Sequence, residues 1–129
     1  MHLFPKNVSF LSTERYIKNG QSSKNFANFN LALHVNDKKM NVLENRSILK
    51  DYYELPSDPV WINQTHSSIC KEASLTESIV EADASFTSNP GIVCAILTAD
   101  CLPVFVSKKD GSMVGVAHAG WRGLISGVV

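Results

Sequence analysis

The sequence predicts an α+β (mixed α/β) domain, a mixed β-sheet with flanking helices. Three observations carry this. Short β-branched runs bounded by turn signals recur between Val60 and His118. The stretch over residues 38–52 instead repeats its apolar residues at helical spacing. Lys108-Lys109-Asp110-Gly111 separates two strand-like runs as a hairpin turn would. At 129 residues the chain is long enough to bury a core, and one domain over 1–129 is expected.

Taken in order, residues 1–12 read as a short strand with Val8, Phe10 and Leu11 as its apolar part. Residues 13–29, rich in Asn and Ser, read as a long loop. Asn30–Val35 reads as a second short strand. Asn36-Asp37 offers an N-cap, and Met40, Leu43, Ile48, Leu49 and Tyr52 mark the apolar face of a helix, which Pro56 and Pro59 end. Val60–His66 reads as a strand, 67–81 as a polar connector, Ala82–Ser88 as a strand and Asn89-Pro90-Gly91 as a turn. Ile92–Ala99 is continuously apolar, as a strand buried on both faces would be. Leu102–Ser107 and Met113–His118 pair across the hairpin turn. A helix opens at Trp121, and its apolar face (Leu124 with Val128, Ile125 with Val129) runs on with no stop signal at its end.

Lys plus Arg and Asp plus Glu both number 12. No basic excess points to nucleic acid or to an anionic membrane, so small molecules or proteins are the expected partners. Cys70, Cys94 and Cys101 lack CxxC spacing and form no disulfide framework. The N-terminal MHLFPKNVSF lacks the apolar run of a signal peptide. Asp100 and Pro103 interrupt the most apolar stretch, so no membrane span is expected. The expectation is a cytoplasmic protein with reduced thiols.

Centring the hairpin on Asp110-Gly111 sets Phe105 opposite Val116 and Pro103 opposite His118. Side chains alternate faces, so Cys101, Pro103 and Phe105 share one face with His118. His118 is then the diagonal neighbour of Cys101, about 7–8 Å away at Cα. A sulfur and a ring nitrogen can reach one metal ion from there. His66, at a strand end, is the candidate third ligand. His34 lies in an apolar run where it packs or hydrogen-bonds, and His2 is close to the terminus. Three readings stay open for Cys101 and His118: a metal site, the nucleophile and base of a cysteine hydrolase, or ordinary core residues. Asp100 is open as a general base, as partner to a ligating His, or as a capping group. Cys70 and Cys94 are expected to be inert. At Gly120–Gly123 a strand passes into a helix, where N–H groups and Arg122 would favour phosphate; the alternative is a solvent-facing Arg122 beside a core Trp121.

The blocks WINQTH, ADASFTSNPG, TADCLPVFV and VGVAHAGWRG, in this order, resemble the laccase-domain (YfiH-like) family. Its members are described as polyphenol oxidases, peptidoglycan-editing factors and purine nucleoside phosphorylases. NLALHV and NVLENRSIL resemble its more variable N-terminal part. The resemblance implies the N-terminal portion of that fold, in a truncated member. It implies metal ligands at His66, Cys101 and His118, with zinc as the ion and copper as the alternative. It implies a purine nucleoside (adenosine, inosine, guanosine or methylthioadenosine) and phosphate as partners, with phosphorolysis and adenosine deamination as the reactions. Cys101, His118 and Asp100 would be catalytic, the last as a proton shuttle. Arg122 and Arg46 are candidates to hold phosphate. Glu14 stands where the family's S-T-R-x-G-G block has its Arg, with Arg15 one place on. The zinc deaminase signature H-x-E with P-C-x-x-C is absent, so deamination would use a different scaffold. The alternatives are a cysteine hydrolase acting on a peptidoglycan-like or amide substrate, a copper polyphenol oxidase, and an inactive truncated chain that associates through its C-terminal apolar face.

Overall fold

The computed structural model describes residues 4–76 and 78–129, so His2 lies outside the described residues. The chain divides into two units, Leu11–Pro56 and the N-terminal residues up to Phe10 together with Ser57–Val129.

In the first unit, residues 11–38 are too polar to bury a strand and form a loop with one 3₁₀ turn at Lys24–Phe26. The strand expected at 30–35 does not form. Asn30 turns its side chain onto its own backbone, accepting the Ala32 N–H at 3.0 Å, and such local bonds compete with a β-ladder. His34 is exposed there. Helix α1 spans Lys39–Tyr52. Asp37 precedes its N-cap, Lys38, and accepts the Lys38 N–H at 2.7 Å rather than capping a helical N–H. Its other oxygen accepts from Ser22 Oγ at 2.6 Å and Asn30 Nδ2 at 3.0 Å.

The buried face of α1 is Val42, Asn45 and Leu49. This corrects the expected apolar face, since Met40, Leu43 and Tyr52 are exposed. The loop that α1 covers is polar, and the fully buried Asn45 meets it with hydrogen bonds. Asn45 accepts the Gln21 N–H at 2.8 Å and donates to Ser22 Oγ at 3.0 Å and to the Asn30 carbonyl at 2.9 Å. The helix closes at Tyr53, and Glu54 turns the chain at φ 51°.

The second unit contains β1 (Pro59–Val60), β2 (Cys70–Glu72), β3 (Ala84–Thr87), β4 (Val93–Cys94), β5 (Leu102–Ser107), β6 (Val114–Ala119) and α2 (Trp121–Ile125). β1 and β4 form a parallel pair. The other strands form a mixed sheet in the order β2-β3-β6-β5, with only β2 and β3 parallel. The β5–β6 hairpin has the expected register, with Phe105 opposite Val116 and Pro103 opposite His118. Ala84, Ala117, Ala119 and Val128 pack as a core of small side chains, with Val104 against it.

Five expectations are corrected here. Of the strand expected over Val60–His66 only Val60 lies in one, with Asn63 in a single bridge to Glu81. The described N-terminal residues form no strand; the Phe10 ring packs on Phe4 and Phe105 instead, with centroids 4.6 and 5.3 Å away. The connector after His66 contains β2, which gains its ladder by lying parallel to β3. Of the run Ile92–Ala99 only Val93–Cys94 is a strand, and it is half-buried. Beyond it the side-chain amide of Gln64 replaces a partner strand, accepting the Leu97 N–H at 2.6 Å and donating to the Leu97 carbonyl at 2.7 Å. Finally, α2 does have a stop. Gly127 adopts φ 79°, its N–H bonds the Leu124 carbonyl, and the Val128 N–H bonds the Gly123 carbonyl at 2.9 Å. This is the Schellman arrangement, and it turns Val128 back into the core.

Candidate metal centre

β6 is the most deeply buried strand, and its alternation sets the buried His118 on the face opposite Ala117 and Ala119, beside the start of β5. The His118 N–H donates to the Asp83 carbonyl at 2.7 Å, which ties the end of β6 to the residue before β3. Cys101 lies one residue before β5, and the Thr98 hydroxyl bonds its carbonyl. His66 comes from the turn after β1. One ligand atom from each of His66, Cys101 and His118 lies within 4.8 Å of the others. The two imidazole rings meet edge to face, 5.0 Å between centroids.

Asp83 organises this group. Its side chain is fully buried. One oxygen accepts the Thr65 N–H at 3.1 Å, the Ser67 N–H at 2.6 Å and the Ser67 hydroxyl at 2.8 Å. The other accepts the His66 N–H at 3.0 Å and lies 2.9 Å from His118 Nδ1. Three successive backbone N–H groups therefore wrap one carboxylate. That wrapping holds His66 at φ 59°, a left-handed conformation that a non-glycine residue adopts only when its surroundings impose it. Burial pushes the Asp83 carboxyl up, but the bonds from His118, Ser67 and Thr65 outweigh it and hold the group below the usual carboxylate range.

Gly120 makes room for the cluster. A Cβ there would lie 3.2 Å from Cys101 Sγ and 3.3 Å from His66 Cδ2. Asp100 is exposed, with Oδ1 3.8 Å from Cys101 Sγ. Burial, then the charge and hydrogen bond of Asp100, then the charge of Asp83 push the Cys101 thiol up. A cation beside the sulfur would reverse this, because metal-bound thiols are held as thiolates.

Two imidazoles and a thiol converging on one point are a donor set suited to zinc or copper. His118 is locked by Asp83, while the exposed His66 and half-buried Cys101 have room to adjust.

The remaining expected site residues are placed as follows. Arg122 is exposed on α2, its guanidinium 5.3 Å from the centre of the Trp121 ring. Trp121 is itself exposed, so it is not the core residue that one reading made it. With five residues, α2 has too small a dipole to bind an anion by itself. Arg15 and Arg46 belong to the other unit. There Arg15 donates to the carbonyls of Ala27 and Asn25, both at 3.1 Å, and Arg46 to that of Leu31 at 2.9 Å. Cys70 is exposed on β2, and Cys94 is half-buried on β4.

Sequence reasoning missed Asp83, Ser67 and Gly120. The available signal was Asp83 itself, a carboxylate within the small-residue run Ala82-Asp83-Ala84-Ser85 at the head of a strand. A charge in such a run needs a dedicated partner.

The family model described as multi-copper polyphenol oxidoreductase laccase matches residues 10–129. A purine nucleoside phosphorylase of Haemophilus influenzae is 41% identical over 125 residues, covering 97% of this chain and 50% of the relative. Purine nucleoside phosphorylase YfiH of Escherichia coli is 42% identical over 126 residues, covering 97% and 51%. Among solved structures, Neisseria meningitidis protein NMB0706 superposes with a TM-score of 0.78 at 39% identity, over 84% of this chain and 45% of that one. A Bacillus licheniformis protein, YfiH, gives 0.79 at 30% identity, over 86% and 46%. The chain thus spans about half the length of the curated relatives it matches.

Proposed function

Because the chain belongs to the multi-copper polyphenol oxidoreductase laccase family, we propose that His66, Cys101 and His118 hold a zinc ion in a purine nucleoside phosphorylase that also deaminates adenosine. One observation carries the reading. The three side chains converge in a chain that matches proteins named purine nucleoside phosphorylase over 97% of its length. Adenosine, inosine, guanosine and methylthioadenosine are the proposed substrate class, with phosphate as second substrate. The cytoplasm is the proposed setting, which the three free cysteines suit. No described helix is long and apolar enough to cross a membrane.

When bound, zinc would supply a Lewis acid and a source of activated water at the open side of the cluster. The chain's own groups do the rest. Asp100, exposed beside Cys101, takes up and returns protons at its carboxylate. Arg122, already oriented by Trp121, holds phosphate through its guanidinium. Arg15 and Arg46 are further candidates for substrate contact.

The family's description favours a second reading, copper-dependent oxidation of phenols, and the same donor set accepts copper. A hydrolase using Cys101 as nucleophile has less support. Asp83, His118 and Cys101 do follow one another as in a triad. Burial and two carboxylates, however, hold the thiol up where a nucleophile needs a thiolate.

The test is the purified chain, its metal content measured, incubated with adenosine or inosine with and without phosphate. Free base that requires phosphate, and inosine from adenosine, are expected. A folded, zinc-loaded chain inert to both nucleosides refutes the reading, and oxygen uptake with a phenol by the copper form would put the second in its place.

A further inference from the structure

We infer that Asp83 is a positioning residue that sets the tautomer of His118 and so decides which ring nitrogen is offered to a metal. The inference rests on the metal reading of the cluster. A neutral imidazole carries one N–H and one bare nitrogen, and only the bare nitrogen ligates. Asp83 is a buried carboxylate whose oxygens accept hydrogen bonds on every side. It can meet His118 Nδ1, at 2.9 Å, only as an acceptor, so the proton sits on Nδ1. Nε2 is the nitrogen left over. The same carboxylate holds the turn that carries His66, so one side chain fixes the ring of one ligand and the backbone of a second.

The substitution Asp83→Asn separates this role from filling space. An amide has one oxygen for the donors that the carboxylate served with two. Three donors, from Thr65 and Ser67, converge on one position, against two, from His66 and His118, on the other. The amide oxygen settles where three donors meet it and turns its NH₂ toward His118 Nδ1. Nδ1 must then accept, the proton moves to Nε2, and the ligating lone pair is lost. Replacing such a partner of a ligating histidine typically costs about 10–100-fold in metal affinity.

The experiment is ¹⁵N NMR of the histidine rings in the metal-free 129-residue chain at pH 8, paired with zinc titration against a chromophoric chelator. Wild type is expected to show the Nδ1–H form of His118. D83N is expected to show the Nε2–H form and to bind zinc about 10–100-fold more weakly. A folded D83N with the wild-type tautomer overturns the proposal, whatever its affinity, because the effect would then belong to the 65–67 turn. Unchanged zinc affinity despite a switched tautomer overturns it too. Should D83N fail to fold, wild type alone decides: an Nε2–H ring refutes the role, and an Nδ1–H ring supports it. Wild type that takes up no zinc refutes the metal reading instead, and no nucleoside assay enters either result.

Discussion

Replacing Asn45 by Ala should destabilise the Leu11–Pro56 unit by about 2–3 kcal/mol. Asn45 is fully buried in the middle of α1, where an asparagine has no intrinsic advantage. What it contributes is three bonds of 2.8–3.0 Å to Gln21, Ser22 and Asn30, with a longer one to the Asn28 carbonyl. A net hydrogen bond is worth about 1 kcal/mol, and a buried group left without a partner costs about 1–3 kcal/mol. Ser22 Oγ keeps Asp37, and the Asn28 carbonyl keeps the Ser22 N–H. Gln21 is exposed, so water replaces part of what it loses. The better helix propensity of Ala returns about 0.5 kcal/mol. Asn45→Asp is the sharper probe. It keeps the bond from Gln21 but sets a carboxylate oxygen against the Asn30 carbonyl, and should cost at least as much as Asn45→Ala. Urea unfolding followed by far-UV circular dichroism measures both. An N45A protein within about 0.5 kcal/mol of wild type, or an N45D protein more stable than N45A, would refute the argument that polar bonding rather than apolar packing seats this helix.

Three further outcomes follow. His66→Ala and His118→Ala should both abolish zinc binding, yet differ in stability: about 0.5 kcal/mol or less for the exposed His66, and roughly 2–4 kcal/mol for His118, whose loss leaves Asp83 short of a partner. Thermal unfolding of the metal-free chains distinguishes them, and equal losses would sink the distinction between a locked and an adjustable ligand. Gly127→Ala should cost about 1 kcal/mol, all of it conformational, because a Cβ there meets nothing within 4 Å while φ is 79°; a neutral effect in chemical denaturation would show that the cap contributes nothing. Asp37 is pushed up by burial but held below the ordinary carboxylate value by Asn30, Ser22 and Lys38. The folded state thus binds its proton less readily than the unfolded one. The stability this confers is complete above about pH 4 and falls away as acid titrates through the lowered folded value. Asp37→Asn should flatten that acid limb, and an unchanged pH–stability curve would exclude Asp37 as its source.

Where local pattern controls the backbone, the sequence is legible. The β5–β6 register follows from one turn and strict alternation, and it sets His118 opposite Pro103, with Cys101 just outside the ladder and its sulfur close to the His118 ring. The β3 strand and the existence of α1 are likewise visible, although neither the N-cap nor the buried face of α1 is the expected one. Three of the departures share a cause: polar side chains substituting for backbone or apolar partners. Gln64 imitates a strand beside Leu97, Asn30 folds onto its own loop, and Asn45 turns the expected face of α1 away. Periodicity counts apolar residues and is blind to an amide that serves as donor and acceptor at once. Gly127 stands in the sequence as a helix stop, but the apolar spacing masks it. Val128 continues that spacing, although it reaches the core by reversing direction rather than by extending the helix.

The candidate site illustrates the same division. His118 is set by ladder geometry, which sequence patterns encode, and Cys101 stands at the entrance to the same hairpin. The site's third ligand is set by Asp83, which acts across a sequence gap that no period spans. The register of β3 against β6 brings Asp83 to His118, since Ala84 pairs with Ala117 and the next step outward meets the pair in question. Burial of Asp83 then forces the 65–67 backbone to supply donors, and His66 accepts a left-handed conformation as the consequence. A chain with the hairpin but without that carboxylate would keep Cys101 and His118 adjacent and lose control of both the third ligand and the proton on the second. All of these residues belong to the unit containing Ser57–Val129, whereas Arg15 and Arg46 belong to the other. Metal binding and any contribution of those two arginines to substrate are therefore separable properties, and measuring zinc uptake and nucleoside turnover independently on one preparation is the direct way to assign residues to each.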